Sequence, residues 1–251
     1  MSNPFDLHGQ VAIVTGANTG IGQGIALALA QAGASIAAVG RSSMDETRHL
    51  VEAAGTRFVE IKADLGTIKP VGTIIAETLK SLGRLDILVN NAGIIRRNDA
   101  IDFTEEDWDA VIDTNLKSAF FLSQAAGRHM IGMSRGKIIN IASLLSFQGG
   151  IRIPSYTASK SGLAGITRLL ACEWAAQGVN VNAIAPGYFV TNNTTALRED
   201  QDRSAQILVR IPAARWGEPS DIGGAAVFLA SKASDYVHGT VLPVDGGWLA
   251  R

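Results

Sequence analysis

The chain of 251 residues is long enough for one large domain or two small ones, and 47% hydrophobic with 18% charged residues fits a globular protein and argues against disorder. The formal net charge of −1 provides no basic field to hold nucleic acid or an anionic membrane surface. No apolar run reaches the length of a membrane span, and the first ten residues, MSNPFDLHGQ, lack the pattern of a signal peptide. We therefore expect no nucleic-acid or membrane partner.

The chain has one cysteine and four histidines. Cys172, being single, excludes an internal disulfide and fits a reducing compartment. The histidines, at positions 8, 49, 129 and 238, are scattered without the spacing of metal ligands, so we expect no metal site.

Short apolar, β-branched runs bounded by glycine or polar residues predict buried parallel strands. In chain order they are residues 11–15, 35–39, 57–61, 87–90, 137–141, 179–184 and 240–244. Stretches with helical periodicity lie between them, for example 22–32, 108–130 and 156–177. This alternation predicts an α/β fold: one domain over residues 1–251, built on a Rossmann-like, doubly wound parallel sheet of seven strands that binds ligands at the carboxyl ends of its strands.

The segment between the sixth and seventh predicted strands departs from this pattern. Residues 189–215 are polar and charged, are bounded by Pro186 and Pro212, and stand where a short crossover would suffice. A long insertion at the carboxyl edge of a sheet usually covers a ligand. We expect this one to cover the substrate.

The first predicted strand leads directly into the glycine-rich stretch TGANTGIG, residues 15–22, and then into an alanine-rich helix. In this order, Gly16 permits a tight turn, Gly20 lets a phosphate approach the backbone, and Gly22 lets the helix pack against the strand. The helix N-terminus favours an anion, so the stretch predicts a site for a dinucleotide pyrophosphate. The alternative is a structural turn with no ligand. The expected contacts are Gly16, Asn18, Thr19, Gly20, Ile21 and Gly22.

The end of the second strand bears on which dinucleotide is bound. NAD-binding versions of this fold usually have an acidic residue there, whereas this chain has Gly40 followed by Arg41. Arg41 could bind a 2′-phosphate, although exposed arginines in loops are common. Asp64, after the third strand, lies where adenine could be held.

Tyr156 and Lys160 are four residues apart, which places both side chains on one face of a predicted helix. Taken alone, such a pair is most often a solvated helix face. Small polar residues follow two neighbouring strands, however: NNAG occupies positions 90–93, and Ser143 ends NIAS. Both groups should therefore lie beside the glycine turn.

With these motifs in this order, the sequence resembles the short-chain dehydrogenase/reductase family over essentially its whole length. The resemblance is carried by TGANTGIG, ADL at 63–65, NNAG, Asn115 in DTNLKS, Ser143, the Tyr156/Lys160 pair, PG at 186–187 and DGGW near the end. It implies a cytoplasmic oxidoreductase that acts on CH–OH groups with NAD, and Gly40 and Arg41 add the expectation that NADP is also accepted. It also implies cofactor contacts from Arg41, Asp64, Leu65, Asn91, Ala92, Gly93, Tyr156, Lys160, Pro186, Gly187, Phe189 and Thr191.

The resemblance assigns catalysis to Asn115, Ser143, Tyr156 and Lys160, and elementary chemistry explains these residue types. Hydride transfer from an alcohol needs a base for the hydroxyl proton, and the reverse reaction needs an acid. Tyr156 is the expected group, its pKa lowered by the Lys160 ammonium and a cationic nicotinamide. Lys160 would also bond the nicotinamide ribose, and Ser143 would donate to the substrate oxygen. Asn115 would hold a water that links Lys160 to solvent.

Further stretches, among them NNAGIIRRNDA, APGYFVTNNT and RIPAARWGEPSD, are similar to those of family members that act on 2-dehydro-3-deoxy-D-gluconate in pectin and hexuronate breakdown. Cations and amides near the predicted reaction point also favour a sugar acid, because arginine can bind a carboxylate with two hydrogen bonds. Each arginine could instead be solvated or lie at a subunit contact. The candidate substrate contacts are Arg96, Arg97, Ser143, Gln148, Arg152 and Tyr156.

Other functions remain open at this point. Relatives reduce the unsaturated uronate from alginate, 4-deoxy-L-erythro-5-hexoseulose uronate, or act on gluconate or 2-deoxy-D-gluconate. A 3-oxoacyl-carrier-protein reductase shares the four catalytic residues, but a basic surface and a more apolar pocket would be expected of it. A redox-sensing regulator or scaffold without turnover would have no need of all four residues.

We expect a homotetramer with dihedral symmetry. The predicted helices 108–130 and 156–177 carry more apolar and small residues than one sheet face covers, and in this family such helices pair across a twofold axis. Trp248 and Leu249 are expected to be exposed in a monomer and to become buried at a second interface.

Overall fold

The structure, a computed structural model, describes residues 3–251 and contains the seven-stranded parallel sheet that the sequence predicts. The strands run in the spatial order β3-β2-β1-β4-β5-β6-β7, and neighbouring strands are parallel. Predicted and observed strand bounds agree within two residues at each end, so the predicted fold class is confirmed. The strands are β1 (Val11–Thr15), β2 (Ser35–Gly40), β3 (Phe58–Lys62), β4 (Ile87–Asn90), β5 (Gly136–Ile141), β6 (Val179–Pro186) and β7 (Val241–Val244).

Helices cover both faces of this sheet. They are α1 (Gly20–Gln31), α2 (Asp45–Ala53), α3 (Val71–Leu82), α4 (Glu105–Ile112), α5 (Ser118–Gly132), α6 (Pro154–Trp174), α7 (Thr195–Glu199), α8 (Gln201–Arg210) and α9 (Gly223–Ala230). Apolar side chains of α1 and α9 form one core cluster with the sheet, and those of α3, α5 and α6 form the other. No helix in residues 3–251 combines the length and apolarity needed to cross a membrane.

The strand order reverses between β1 and β4, since β1 leads outward to β2 and β3 while β4 leads to β5, β6 and β7. The carboxyl ends of β1 and β4 therefore border a crevice, which is where folds of this kind bind ligands. The candidate site residues that follow β1, β4, β5 and β6 therefore all lie at the carboxyl-terminal edge of the sheet.

The prediction of a single continuous helix over 108–130 is wrong, because the helix is interrupted in its middle. The structure ends α4 at Ile112, inserts a π-helical turn at Asp113–Lys117, and then begins α5 at Ser118. Such a turn accommodates one extra residue and is common at functional sites. Asn115 lies within it, so the irregular turn is what positions this side chain.

The helix predicted over 156–177 begins earlier than expected. Pro154 occupies the first turn of α6, where its fixed backbone angle and missing N–H cost nothing. α6 ends at Trp174, and a short 3₁₀ turn follows at Ala175–Gln177. The glycine-turn helix α1 likewise begins at Gly20, two residues before the predicted start.

The insertion at 189–215 is helical, and the terminal tryptophan packs beneath it. α7 and α8 both lie in this segment, and Ile207 and Ile211 form an apolar cluster with Leu144 and Trp248. Trp248 is only 4% exposed, and Leu249 is partly buried against the same cluster. The prediction that these two residues are exposed in a monomer is wrong, because the insertion of the same chain covers them.

Candidate active site

The glycine turn after β1 has the backbone shape that a phosphate site requires. Gly16 and Gly20 have φ angles of +65° and +57°, a region that favours glycine. A Cβ on Gly22 would lie 2.1 Å from the Gly16 carbonyl oxygen and 2.4 Å from the Asn91 Nδ2 atom. Only glycine permits α1 to approach the turn so closely.

Asn91 fixes the glycine turn to the end of β4. Its Nδ2 atom donates to the carbonyl oxygens of Thr15 at 2.9 Å and Gly16 at 3.2 Å. The backbone N–H groups of Asn91 and Ala92 both donate to the Thr15 hydroxyl, each at 2.9 Å. These hydrogen bonds join the ends of β1 and β4, which border the crevice, although the bonded residues are 75 to 77 positions apart in sequence.

A cavity of about 470 Å³ opens above this turn. Its only charged lining side chains among the described residues are the cations of Arg41 and Lys160, and this charge suits the anionic pyrophosphate of a dinucleotide. The cavity also has lining residues that the sequence interpretation missed, namely Ile94, Ile141, Ala142, Asn192, Asn193 and Thr194. The predicted cofactor contacts that line it are Gly16, Asn18, Thr19, Gly20, Ile21, Gly22, Arg41, Asn91, Ala92, Gly93, Tyr156, Lys160, Pro186, Gly187, Phe189 and Thr191.

Asp64 and Leu65 line an adjoining cavity of about 300 Å³ beside Gly40 and Arg41. The Arg41 Nη1 atom lies 4.0 Å from the Asp64 Oδ1 atom, and both side chains are about two-thirds exposed. An exposed ion pair of this length contributes little, so Arg41 can turn toward a phosphate at small cost. The residues present thus fit a dinucleotide.

The Lys160 ammonium lies against the end of β5. Its Nζ atom donates to the Ile141 carbonyl oxygen at 2.6 Å and lies 5.6 Å from the centroid of the Tyr156 ring. The loop after β5 is also tied to α6, because the Ser146 hydroxyl donates to the Lys160 carbonyl oxygen at 2.7 Å. Ser143, Tyr156 and Lys160 all line the 470 Å³ cavity, so the structure brings these three predicted residues together.

Asn115 is 1% exposed and is hydrogen-bonded to the loop after β4. Its Oδ1 atom accepts from the Ile94 N–H at 2.8 Å, and its Nδ2 atom donates to the Ile94 carbonyl oxygen at 2.9 Å. The same Nδ2 atom donates to the Ser159 hydroxyl on α6 at 3.3 Å. Asn115 therefore joins the π turn, the β4 loop and the helix that carries Tyr156.

Burial dominates the protonation of Tyr156 and Lys160. It lowers the pKa of Lys160 to about 8, since the buried ammonium is poorly solvated. It also raises the pKa of Tyr156, while the Ser143 hydroxyl and the charge of Arg97 act in the opposite direction. In the protein alone burial outweighs these two groups, and the lowering expected from Lys160 together with a bound cationic nicotinamide stays a prediction. In this state Tyr156 is a neutral acid.

A second cavity of about 380 Å³ continues from the first and shares Ser143 and Tyr156 with it. Three arginines line this second cavity, which we call the substrate cavity: Arg97, Arg203 and Arg210. Of the residues described, none with a carboxylate side chain lines it. A cavity of this charge favours an anionic substrate.

The predicted substrate contacts are divided between this cavity and the surface. Arg97 lines it and donates from Nη2 to the Asn193 carbonyl oxygen at 3.0 Å, and Gln148 lines it as well. Arg96 and Arg152 are absent from its lining. They pair instead with carboxylates on the chain: Arg96 Nε lies 3.0 Å from Asp107 Oδ1, and Arg152 Nε lies 3.1 Å from Asp99 Oδ1.

Sequence reasoning missed the two arginines of α8. Arg203 and Arg210 are seven residues apart, so two turns of helix place them on one face with Ile207 between them. Their spacing within the insertion is the signal that could have found them. The structure describes no group of three metal-ligating side chains in residues 3–251.

Comparison with known proteins agrees with this geometry. The family model described as "Enoyl-(Acyl carrier protein) reductase" matches residues 16–249. The 2-dehydro-3-deoxy-D-gluconate 5-dehydrogenase of Escherichia coli (strain K12) is 59% identical over 248 residues, which cover 98% of each chain.

Two solved structures with bound NADP are also similar. One, from Agrobacterium tumefaciens, is provisionally assigned as a 2-deoxy-D-gluconate 3-dehydrogenase; it is 56% identical over the whole of both chains, with a TM-score of 0.92. The other is a gluconate 5-dehydrogenase from Burkholderia cenocepacia in complex with NADP and tartrate. It is 39% identical over 99% of this chain and 98% of that one, with a TM-score of 0.93.

The chain belongs to the short-chain dehydrogenase/reductase family. It is an oxidoreductase that acts on CH–OH groups and uses a nicotinamide dinucleotide.

Proposed function

We propose that the protein is a sugar-acid dehydrogenase that interconverts 2-dehydro-3-deoxy-D-gluconate and 3-deoxy-D-glycero-2,5-hexodiulosonate. The observation that carries this proposal is the substrate cavity, in which three arginines and no carboxylate line a space that reaches Ser143 and Tyr156. Full-length similarity to the Escherichia coli 2-dehydro-3-deoxy-D-gluconate 5-dehydrogenase supports the choice of sugar acid. Tartrate in the Burkholderia cenocepacia structure supports an anionic, hydroxylated ligand.

The four predicted catalytic residues divide the work between them. When bound, the dinucleotide accepts or supplies the hydride. Tyr156 takes the proton of the substrate hydroxyl in oxidation and returns it in reduction. Ser143 donates a hydrogen bond to the reacting oxygen, which develops negative charge.

Lys160 and Asn115 support Tyr156. The Lys160 Nζ atom uses one N–H on the Ile141 carbonyl oxygen, which leaves two donors for a ribose hydroxyl and a water. Asn115 fixes the π turn beside α6, and we assign to this turn the water that links Lys160 to solvent. The positive charges of Lys160 and a bound cofactor would draw the raised pKa of Tyr156 back toward neutrality.

For the cofactor we propose NAD, with NADP also accepted. Gly40 stands where an acid would repel a 2′-phosphate, and Arg41 lines both the large cavity and the adjoining one. NADP in the two related structures supports acceptance of the phosphorylated form.

The insertion at 189–215, in this proposal, covers the substrate. It supplies Asn193, Thr194, Leu197, Arg203 and Arg210 to the substrate cavity. We further propose that the enzyme is cytoplasmic and serves pectin and hexuronate breakdown. We also propose a homotetramer, since Trp108 on α4 and Leu169 on α6 remain 40% and 50% exposed in the single chain.

A second candidate, an acyl-carrier-protein reductase, follows from the description of the matching family model. It would leave the arginines of the substrate cavity without a role. Alginate-derived uronate, gluconate and 2-deoxy-D-gluconate are sugar-acid alternatives that the same cavity could hold.

The test is a substrate panel assayed in both directions with NAD(H) and NADP(H), with the carbon that reacts identified by NMR. We expect oxidation of 2-dehydro-3-deoxy-D-gluconate at C5, with a kcat/KM roughly 10²-fold or more above that for a 3-oxoacyl thioester. Preference for the thioester would overturn the proposal. A higher kcat/KM for another sugar acid would support a sugar-acid dehydrogenase but would replace 2-dehydro-3-deoxy-D-gluconate as its proposed substrate.

A further inference from the structure

We propose that Arg210 binds the carboxylate of the substrate and that Trp248 is a positioning residue that holds the Arg210 guanidinium for this contact. The proposal rests on the sugar-acid function proposed above and identifies which arginine recognises the acid. Both residues line the substrate cavity.

α8 is anchored so that its arginines face the cavity. Ile207, one turn before Arg210, is 2% exposed and packs in the apolar cluster with Leu144, which directly follows Ser143. This contact joins the insertion to the loop that carries the Ser143 hydroxyl. The carbonyl oxygens of Val209 and Arg210 accept hydrogen bonds from the Arg251 side chain, which further holds the end of α8.

The Arg210 guanidinium stacks on Trp248, with its Cζ atom 4.0 Å from the centre of the indole ring. Stacking occupies the face of the guanidinium and leaves its N–H groups, which point outward in the plane, able to donate. Within residues 3–251 this side chain has no hydrogen bond or ion pair, so its donors are available to a ligand.

Trp248 is itself fixed in three ways. It is buried, its ring lies 4.7 Å from that of Tyr188, and its Nε1 atom donates to the Gln148 Oε1 atom at 3.2 Å. Because Gln148 accepts this bond through its oxygen, its NH₂ group is left to donate to a ligand in the cavity that Gln148 and Arg210 both line. The Arg210 guanidinium and the Gln148 amide together provide N–H donors from which a carboxylate can accept hydrogen bonds.

The other two arginines are less suited to this contact. Arg97 is engaged with the Asn193 carbonyl oxygen, and its charge acts on the phenol of Tyr156, which places it near the reacting oxygen. Arg203 donates to the Gln206 Oε1 atom at 3.3 Å, and in the described part of the chain no aromatic ring stacks on it.

The decisive experiment compares two substrates in variants of the full enzyme: 2-dehydro-3-deoxy-D-gluconate and its C1 carboxamide, which keeps the shape and removes the charge. Arg210→Gln should raise KM for the acid roughly 10- to 100-fold with kcat retained, because charge-assisted hydrogen bonds are lost. Its KM for the carboxamide should be unchanged. Arg210→Lys should recover part of the affinity, and the matched control Arg203→Gln should have the smaller effect.

Trp248 is tested separately because it is buried. Trp248→Phe keeps a stacking ring and should leave KM near the wild-type value, whereas Trp248→Leu removes the stack and should raise KM for the acid alone. If Trp248→Leu fails to fold, Arg210→Gln still decides the assignment. An unchanged KM for the acid in Arg210→Gln, or equal losses for acid and carboxamide, would overturn it while leaving the sugar-acid function intact. A wild-type enzyme inactive on every sugar acid would overturn both.

Discussion

The two cavities that meet at Tyr156 are built in different ways. The cofactor cavity is formed largely by backbone: the glycine turn after β1, the ends of β4 to β6, and the hydrogen bonds that Asn91 donates to Thr15. The substrate cavity is formed largely by side chains of the insertion, the loop after β5 and the segment around Trp248. The glycine turn of the first can be altered only by disturbing the fold, whereas the second can change its ligand by single substitutions.

This difference explains why family membership and the nicotinamide cofactor could be inferred from short motifs. A backbone site needs particular glycines at particular spacings, and Gly22 shows why, since any Cβ there would strike the Gly16 carbonyl oxygen. A side-chain site needs only groups of suitable charge, which many sequences can supply from many positions. The arginines of α8 leave no such motif.

The largest effect is expected where the two cavities meet. Tyr156→Phe removes the proton route and should lower kcat by about 10²- to 10⁴-fold. Cofactor affinity should be kept, because the phenol oxygen is the only atom lost and Lys160 still reaches the ribose. Steady-state kinetics and a fluorescence titration with NADH measure the two quantities.

Lys160→Ala is the companion variant. It should weaken both cofactor binding and turnover, since Lys160 serves the ribose and the phenol together. A Tyr156→Phe enzyme that keeps more than a tenth of wild-type kcat would remove this residue from the proton route.

A substitution in the backbone-built cavity should cost stability as well as binding. In Gly22→Ala the new Cβ overlaps backbone at Gly16 and the Asn91 amide, so we expect the free energy of unfolding to fall by about 3 kcal/mol and cofactor affinity to be lost. The matched control is Gly72→Ala on α3, where a Cβ meets no atom within 4 Å. The control should be neutral or slightly stabilising. Equal denaturation midpoints in urea for the two variants would contradict the close packing of the turn.

The buried ammonium should make stability depend on pH. Burial lowers the pKa of Lys160 from its ordinary value of 10.5 to about 8. Between these values the unfolded chain binds more protons than the folded one, so this group makes the free energy of unfolding rise with pH. Relative to Lys160→Met, wild type should gain about 3 kcal/mol from pH 8 to pH 10.5. Urea denaturation of both proteins across this range measures the gain, and a constant or falling difference would exclude a buried, poorly solvated ammonium.

The smallest of these effects concerns cofactor choice. Gly40→Asp introduces a carboxylate where a Cβ meets no atom closer than 3.6 Å, so the fold should tolerate it. Repulsion of the 2′-phosphate should lower kcat/KM for NADPH about tenfold, or about 1.4 kcal/mol, with little change for NADH. Failure of the wild type to bind NADPH at millimolar concentration would show that Arg41 has no phosphate role.

The strands and the glycine turn could be predicted from local sequence. Short apolar, β-branched runs indicate buried strands, and closely spaced glycines indicate a turn with positive φ angles. The π turn at Asp113–Lys117 did not, since it depends on the hydrogen bonds between Asn115 and Ile94, 21 residues away. Burial of Trp248 was missed for the same reason, as its indole bonds to Gln148 across 100 residues of sequence. The sequence pattern around a residue does not indicate which distant residues it contacts.

The charge of the substrate cavity is tested most directly by one ratio in the wild-type enzyme. This ratio compares kcat/KM for 2-dehydro-3-deoxy-D-gluconate with kcat/KM for the 3-deoxy-2-ketose that carries a C1 hydroxymethyl group in place of the carboxylate. The cavity has three arginines and, among the residues that the structure describes, no carboxylate in its lining, which predicts a ratio of about 10² or more at low ionic strength. A ratio near one would show that the arginines do not select the acid and would contradict the assignment of this cavity to a sugar-acid carboxylate.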